Sequence, residues 1–416
     1  MAMARRVVVA PDKFKGSLTA DEVGDALRLG LLDGDPELDV LVRPLADGGE
    51  GSVAACLRAG FTARTVRVRG PLGDPVDARF ALNGDTAVVE AAQACGLQLL
   101  GGDRAPLTAS STGLGDMVRH ALDAGARRIV LAVGGSASID GGAGMLGALG
   151  CRLTDAAGRH LLPGAAALRS AARLDLAEAD PRLSRTELVL AADVDAPLTG
   201  PTGAVAVFGA QKGVGPAEAA LVEEALGVLA SVAPATGTGA DPATLPGAGA
   251  AGGIGFGAYL LGARQVSGAA YFAELAGLPG ALAGASLAVT GEGSLDSQTL
   301  TGKLPLVVAA HARTAGVPAV AAVGRCLRVA RCRVLRGARA HRPRPGMRHR
   351  PGAERPPTPA PRRRAGHRPY RRPRGRSHAS PVTAPDASRT SPPSRAPNPP
   401  ESAHAAESSK GAPHVQ

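Results

Sequence analysis

The stretch Arg6-Val7-Val8-Val9-Ala10-Pro11-Asp12-Lys13-Phe14-Lys15-Gly16-Ser17-Leu18-Thr19-Ala20 decides the fold. Val7 to Ala10 is a short apolar run closed by Pro11, the pattern of a strand buried on both faces of a parallel sheet. Thr19 followed three residues later by Glu22 is a capping box. A helix is therefore expected from about Ala20, with Val23, Ala26, Leu27 and Leu31 recurring at helical spacing. Between strand and helix lie Asp12, Lys13, Lys15, Gly16 and Ser17. In open α/β sheets ligands bind at this place, and a helix start favours anions.

Outward from this stretch the arrangement repeats. A second strand, Leu38 to Pro44, runs into Leu45-Ala46-Asp47-Gly48-Gly49-Glu50-Gly51-Ser52, ahead of a helix around Val53 to Ala59. Thr62 to Val68 and Ala87 to Ala92 read as strands flanking a turn at Pro71-Leu72-Gly73-Asp74-Pro75. The hydroxyl-rich loop Thr108 to Gly115 leads into a helix over Asp116 to Ala124, which it is expected to cap. Arg128 to Val133 is a strand that opens into Gly134-Gly135-Ser136-Ala137-Ser138-Ile139-Asp140-Gly141-Gly142. Packed glycines let backbone amides approach an anion closely. This is no Walker loop, since G-x-x-x-x-G-K-[ST] occurs nowhere in the chain.

Leu188 to Ala192 ends in Asp193-Val194-Asp195 and is followed by Phe208-Gly209-Ala210-Gln211-Lys212-Gly213. An amphipathic helix over Pro216 to Val232 precedes a linker, Ala233 to Leu245. Gly252 and Gly253 sit in a second glycine-rich stretch, which reads either as a ligand cradle or as a close packing site. The strand Ala285 to Val289 runs into Thr290-Gly291-Glu292-Gly293-Ser294-Leu295-Asp296, with Thr299 and Lys303 beyond. Ala319 to Val323 is the last strand expected. Strands alternating with helices argue for an α/β protein with parallel sheet.

Several of these pieces, from Ala10-Pro11-Asp12-Lys13-Phe14-Lys15-Gly16-Ser17 to Thr290 through Lys303, resemble the bacterial type I glycerate kinases, over about residues 6–325. Two positions depart from the family pattern: Ile139 and Ala196 stand where it has Asn. The resemblance implies two unlike α/β domains with the active site between them. The expected division is 1–75 plus 285–324 for one domain and 76–284 for an inserted second. It further implies ATP-dependent phosphorylation of D-glycerate, 2-phosphoglycerate being the product favoured, with Mg²⁺ as the metal.

Phosphoryl transfer needs cations around the moving group and a carboxylate near the attacking hydroxyl. On that basis Asp193 is expected as base, with Lys15 and Lys303 also catalytic. Lys13, Ser17, Lys212 and Asp12 are assigned to substrate. Gly134, Gly135, Ser136, Gly141, Gly142, Gly252 and Gly253 are assigned to the nucleotide, and Asp47 and Asp296 to magnesium. A binding protein without turnover is the alternative, motivated by Ile139 and Ala196.

Composition divides the chain in two. Residues 325–416 hold 21 Arg and 1 Lys against 4 acidic residues, with 17 of the 34 prolines, whereas 1–324 carries a net charge of −7. The sequence pI of about 10.2 thus belongs to the tail. The body has no electrostatic footprint for nucleic acid, leaving only incidental binding through the basic tail. Such a tail is expected to be disordered. Its abrupt onset is expected from a reading-frame shift near Arg325. Cys56, Cys95 and Cys151 have no metal-like spacing, which suits reduced thiols in a cytoplasmic protein. No stretch is long and apolar enough to span a membrane. The oligomeric state is left open.

Overall fold

The computed structural model describes residues 5–235, 239–295, 303–326 and 338–340. The strands are β1 (Arg6–Pro11), β2 (Asp39–Val42), β3 (Thr62–Arg69), β4 (Pro75–Asn83), β5 (Thr86–Glu90), β6 (Arg128–Ala132), β7 (Arg152–Thr154), β8 (Arg173–Asp175), β9 (Glu187–Ala191), β10 (Arg264–Val266), β11 (Leu287–Leu295), β12 (Ala319–Cys326) and β13 (Ala338–Ala340).

They form a parallel five-stranded sheet ordered β13-β12-β11-β1-β2, a mixed six-stranded sheet ordered β10-β9-β6-β5-β4-β3, and the antiparallel pair β7-β8. The α/β class with parallel sheet holds. In the first sheet β1 lies between β11 and β2, both parallel to it. Val8 and Ala10 face one apolar cluster, closed by Ala273, Leu304 and Val308. Val7 and Val9 face another, against which Leu27 and Leu31 pack. This two-sided burial is why the run carries no polar residue. The capping box forms as expected: the Glu22 amide donates to Thr19 Oγ1 at 3.2 Å and the Thr19 amide to Glu22 Oε2 at 2.8 Å, opening a helix over Ala20–Gly34.

The expected boundary at 75/76 does not follow the sheets. Residues 70–74 make a tight turn, closed by the Gly70 amide donating to Asp74 O at 2.6 Å. β3 and β4 form an antiparallel hairpin about it, and both belong to the six-stranded sheet. The chain crosses into that sheet ahead of Thr62 and leaves it after Val266. The helix Gly268–Leu275 already contributes Ala269 and Ala273 to the core of the first sheet, so 284/285 is not the return point either. β12 runs in register with β11 as far as Cys326, and β13 pairs with β12. The rest of the proposed tail lies outside the described residues.

The two sheets meet where their strands end. The Gly134 amide donates to Gly48 O at 3.2 Å. A Cβ on Gly134 would stand 2.7 Å from Gly49 Cα, so only glycine lets these two loops touch.

Candidate functional site

The carboxyl ends of β1, β2, β6 and β9 converge on one cavity. Lys15, Asp47, Gly48, Gly49, Gly134, Gly135, Ser136, Asp193, Lys212 and Lys303 line it, with Ala250 and Ala251. Lys15 also lines an adjoining groove that holds Asp12, Lys13 and Ser17. The Ser17 hydroxyl donates to Phe14 O at 2.9 Å, within its own turn. Phe14 anchors this loop: Cβ atoms on Gly291 and Gly324 would stand 3.5 and 3.4 Å from its ring.

On the five-stranded side, Lys13 Nζ donates to Asp47 Oδ1 at 3.1 Å and to Asp12 Oδ1 at 3.5 Å. Burial, and then the Asp47 charge, push the Asp12 carboxyl up to about 7. Burial also opposes ionisation of Asp47, but Lys13 and the Gly49 amide outweigh it and hold Asp47 below its ordinary value. Burial pulls Lys13 down, yet Asp47 and then Asp12 lift it above the ordinary lysine value. Lys303 Nζ lies 3.7 Å from Glu292 Oε1.

On the six-stranded side, Lys212 is 2% exposed, and its Nζ donates to Ser136 O at 2.6 Å and Ser136 Oγ at 2.7 Å. Burial pushes it down to about 7. Ser136 Oγ in turn donates to Ala251 O at 3.0 Å. Ala251 has φ 57°, the one non-glycine residue with positive φ among those described. Asp193 accepts from Ser267 Oγ at 2.6 Å and from the Ala269 amide at 2.8 Å, at the start of the helix Gly268–Leu275. Burial raises its carboxyl to about 6, with Asp47 adding to the shift.

Not every expected residue faces the cavity. Gly141, Gly142, Gly252 and Gly253 do not line it; they pack on each other and on neighbouring backbone. A Cβ on Gly253 would lie 2.5 Å from Gly141 Cα, and one on Gly142 3.1 Å from Gly257 Cα. In the fold these glycines serve the close approach of two backbones. Asp140 is fully buried and accepts from the amides of Ser111, Gly142 and Gly144 and the hydroxyl of Ser111. The hydroxyl-rich loop thus anchors Asp140 and makes no side-chain cap on the helix Thr112–Asp123. Ile139 is fully buried in an apolar cluster with Leu146 and Phe256, so its departure from the family pattern removes no cavity-facing group. Asp296 lies outside the described residues. Among those described, no three His, Cys, Asp or Glu side chains group so as to hold a metal ion. Sequence reasoning missed Ala250, Ala251 and Gln211 as lining residues. Nothing in an alanine marks it, although Gln211 adjoins Lys212.

A family model described as the glycerate kinase family matches residues 7–339. The chain is 42% identical over 325 residues to the glycerate kinase of Bacillus subtilis, covering 77% of this chain and 85% of that protein. It is 39% identical over 324 residues to the glycerate 2-kinase of Escherichia coli, with 77% and 85% covered. A solved structure, described as a glycerate kinase 2 from Salmonella typhimurium LT2, matches with a TM-score of 0.68 at 41% identity, covering 81% of this chain and 90% of that one.

Proposed function

The chain belongs to the glycerate kinase family, and we propose that it moves the terminal phosphoryl group of ATP to the 2-hydroxyl of D-glycerate in the cytoplasm. One observation carries this reading: three lysines and two carboxylates, drawn from both sheets, line a single cavity. Lysines there suit the negative charge of phosphates and of the glycerate carboxylate, which a transfer site must neutralise. Asp193, raised to about 6, ionises close to neutral pH, which suits the base that takes the proton of the attacking hydroxyl. Lys15 borders both depressions, where the moving phosphoryl would pass. Lys303 adds charge from the start of the helix Leu304–Thr314. Lys13 and Asp12 act together with Asp47 rather than on substrate directly, and Ser17 faces the groove. Gly134, Gly135 and Ser136 offer backbone to the nucleotide.

The donor set fits a divalent cation on the Asp47 side. Asp12 and Asp47 are two carboxylates that share one lysine, with Lys13 Nζ 3.5 Å from Asp12 Oδ1 and 3.1 Å from Asp47 Oδ1, so they are the oxygen donors a divalent cation would use here. Magnesium bound there, through water, would screen the phosphate oxygens. Phosphorus NMR of the product tests the regiochemistry. A 2-phosphate couples to one carbinol proton and gives a doublet; a triplet would place the phosphate on the primary hydroxyl instead.

The tail belongs to the same reading. The family match ends at 339, and the match to the Bacillus subtilis glycerate kinase covers 85% of that protein. A reading-frame shift past Arg325 accounts for the Arg/Pro-rich composition that follows. Resequencing the gene tests it: the alternative frame should encode a strand followed by an amphipathic helix, and its absence refutes the idea.

A further inference from the structure

Lys212 differs from the other cavity lysines in how its nitrogen is satisfied. An amine carries two hydrogens and an ammonium three. Ser136 takes two, on its carbonyl and its hydroxyl oxygen. The hydroxyl passes its own hydrogen on to Ala251 O, so it accepts from Lys212 rather than donating to it. Among the described residues no third acceptor meets Nζ, and no carboxylate pairs with it. The side chain is 2% exposed, so water gives little compensation for a buried charge. The groups acting on it from the surrounding elements are Cys95, Asp140 and Lys15. The Cys95 thiol is itself buried and raised to about 12, hence neutral. Asp140 is already satisfied by the amides and hydroxyl of its own loops. Lys15 repels a second positive charge.

We propose that Lys212 stands as a neutral amine in the empty cleft and takes one proton from solvent when an anionic oxygen of the ligand supplies the third acceptor. The inference rests on the anion-binding reading of the cavity. It makes ligand binding proton-linked: the entering charge is partly neutralised by a proton rather than by a pre-formed cation. The burial that pushes Lys212 down to about 7 agrees with this geometry. Above neutral pH, affinity should then weaken by up to about tenfold per pH unit.

The test is titration calorimetry of the full chain with Mg-ATP and, separately, with D-glycerate, each in MES and imidazole near pH 6 and in HEPES and Tris near pH 8. The two buffers of each pair have different ionisation heats, so proton uptake appears as a difference in apparent enthalpy. For the ligand that reaches Lys212, uptake should be about 0.9 proton near pH 8 and about 0.1 near pH 6. Uptake with Mg-ATP assigns the third acceptor to a phosphate, and uptake with glycerate assigns it to the carboxylate. Lys212→Arg, whose guanidinium keeps its proton throughout, should lose the buffer dependence and leave only what Asp12 and Asp193 contribute. If that variant does not fold, Lys212→Met, which has no proton to exchange, takes its place and should lose the same uptake. Binding of both ligands with no Lys212-dependent uptake from either overturns the inference while leaving the functional reading intact. Failure of both ligands to bind overturns that reading itself.

Discussion

Two lysines, Lys13 half-buried in the groove and Lys212 buried in the adjoining cavity, are driven in opposite directions. Lys13, on the five-stranded side, has Asp12 and Asp47 within ion-pair distance and is held charged. Lys212, on the six-stranded side, has only the oxygens of one serine and is pushed down to about 7. Burial acts on both. What differs is whether a carboxylate is present to repay it. The cleft thus has one side with fixed charge and one side whose charge can follow the ligand.

The largest effect should come from removing the fixed charge. Lys13→Met leaves two carboxylates without their cation, and unfolding in urea should show a loss of about 3 kcal/mol. Adding Asp47→Asn to that variant should recover part of it. A Lys13→Met protein as stable as wild type would mean that the pair is not what holds this side together.

Asp193 feels both sides, since it lies just past the end of β9 in the six-stranded sheet and is raised partly by Asp47. Asp193→Asn and Lys15→Ala should each lower kcat/KM at least about 100-fold. In the wild type, kcat/KM should fall as pH drops below about 6, because the base must be ionised. An unchanged acid limb in an active Asp193→Asn variant would remove Asp193 from the chemistry. The asparagine should also lower the thermal midpoint slightly, because Asp193 accepts from Ser267 and Ala269.

Asp12→Asn sharpens the comparison by leaving one carboxylate for one lysine. The folded-state pKa of Asp12, about 7, lies above the ordinary 3.8. The folded form therefore binds that proton more tightly, and this contribution to stability is lost as pH rises through 7. The variant should gain on the wild type by at least about 1 kcal/mol between pH 5 and pH 8, measured by denaturant unfolding. A constant difference would show that Asp12 is already ionised at pH 5.

The smallest effect belongs to Ala251, at the end of the Lys212 and Ser136 chain. A left-handed conformation costs an L-residue about 1 kcal/mol, so Ala251→Gly should stabilise the protein by up to that amount. A loss of stability would indicate that the methyl packs better than its backbone strain suggests.

Much of this was legible where the signal is local. The apolar run at Val7 to Ala10 and the Thr19–Glu22 box specify their elements within a few residues, and both formed as read. The lysines and acids at strand ends were legible as a group because polar residues have no other reason to interrupt buried strands. β4 was missed although Val76, Ala78, Phe80 and Leu82 alternate, because Pro75, Asp77 and Arg79 broke up the apolar run. That omission placed the domain boundary inside a hairpin. The glycines at 141–142 and 252–253 announced a close approach, but not that they approach each other across more than a hundred residues. Nor does sequence distinguish Asp140, spent on amides, from Asp193, open to the cavity, since that depends on loops far apart in the chain.

The most direct measurement is ADP release by the full-length protein with Mg-ATP, with and without D-glycerate, in a coupled assay. The account predicts release that depends on glycerate, saturates with it, and is lost in Lys15→Ala. Release no greater than the ATP-only background, from a sample shown to be folded, would contradict it.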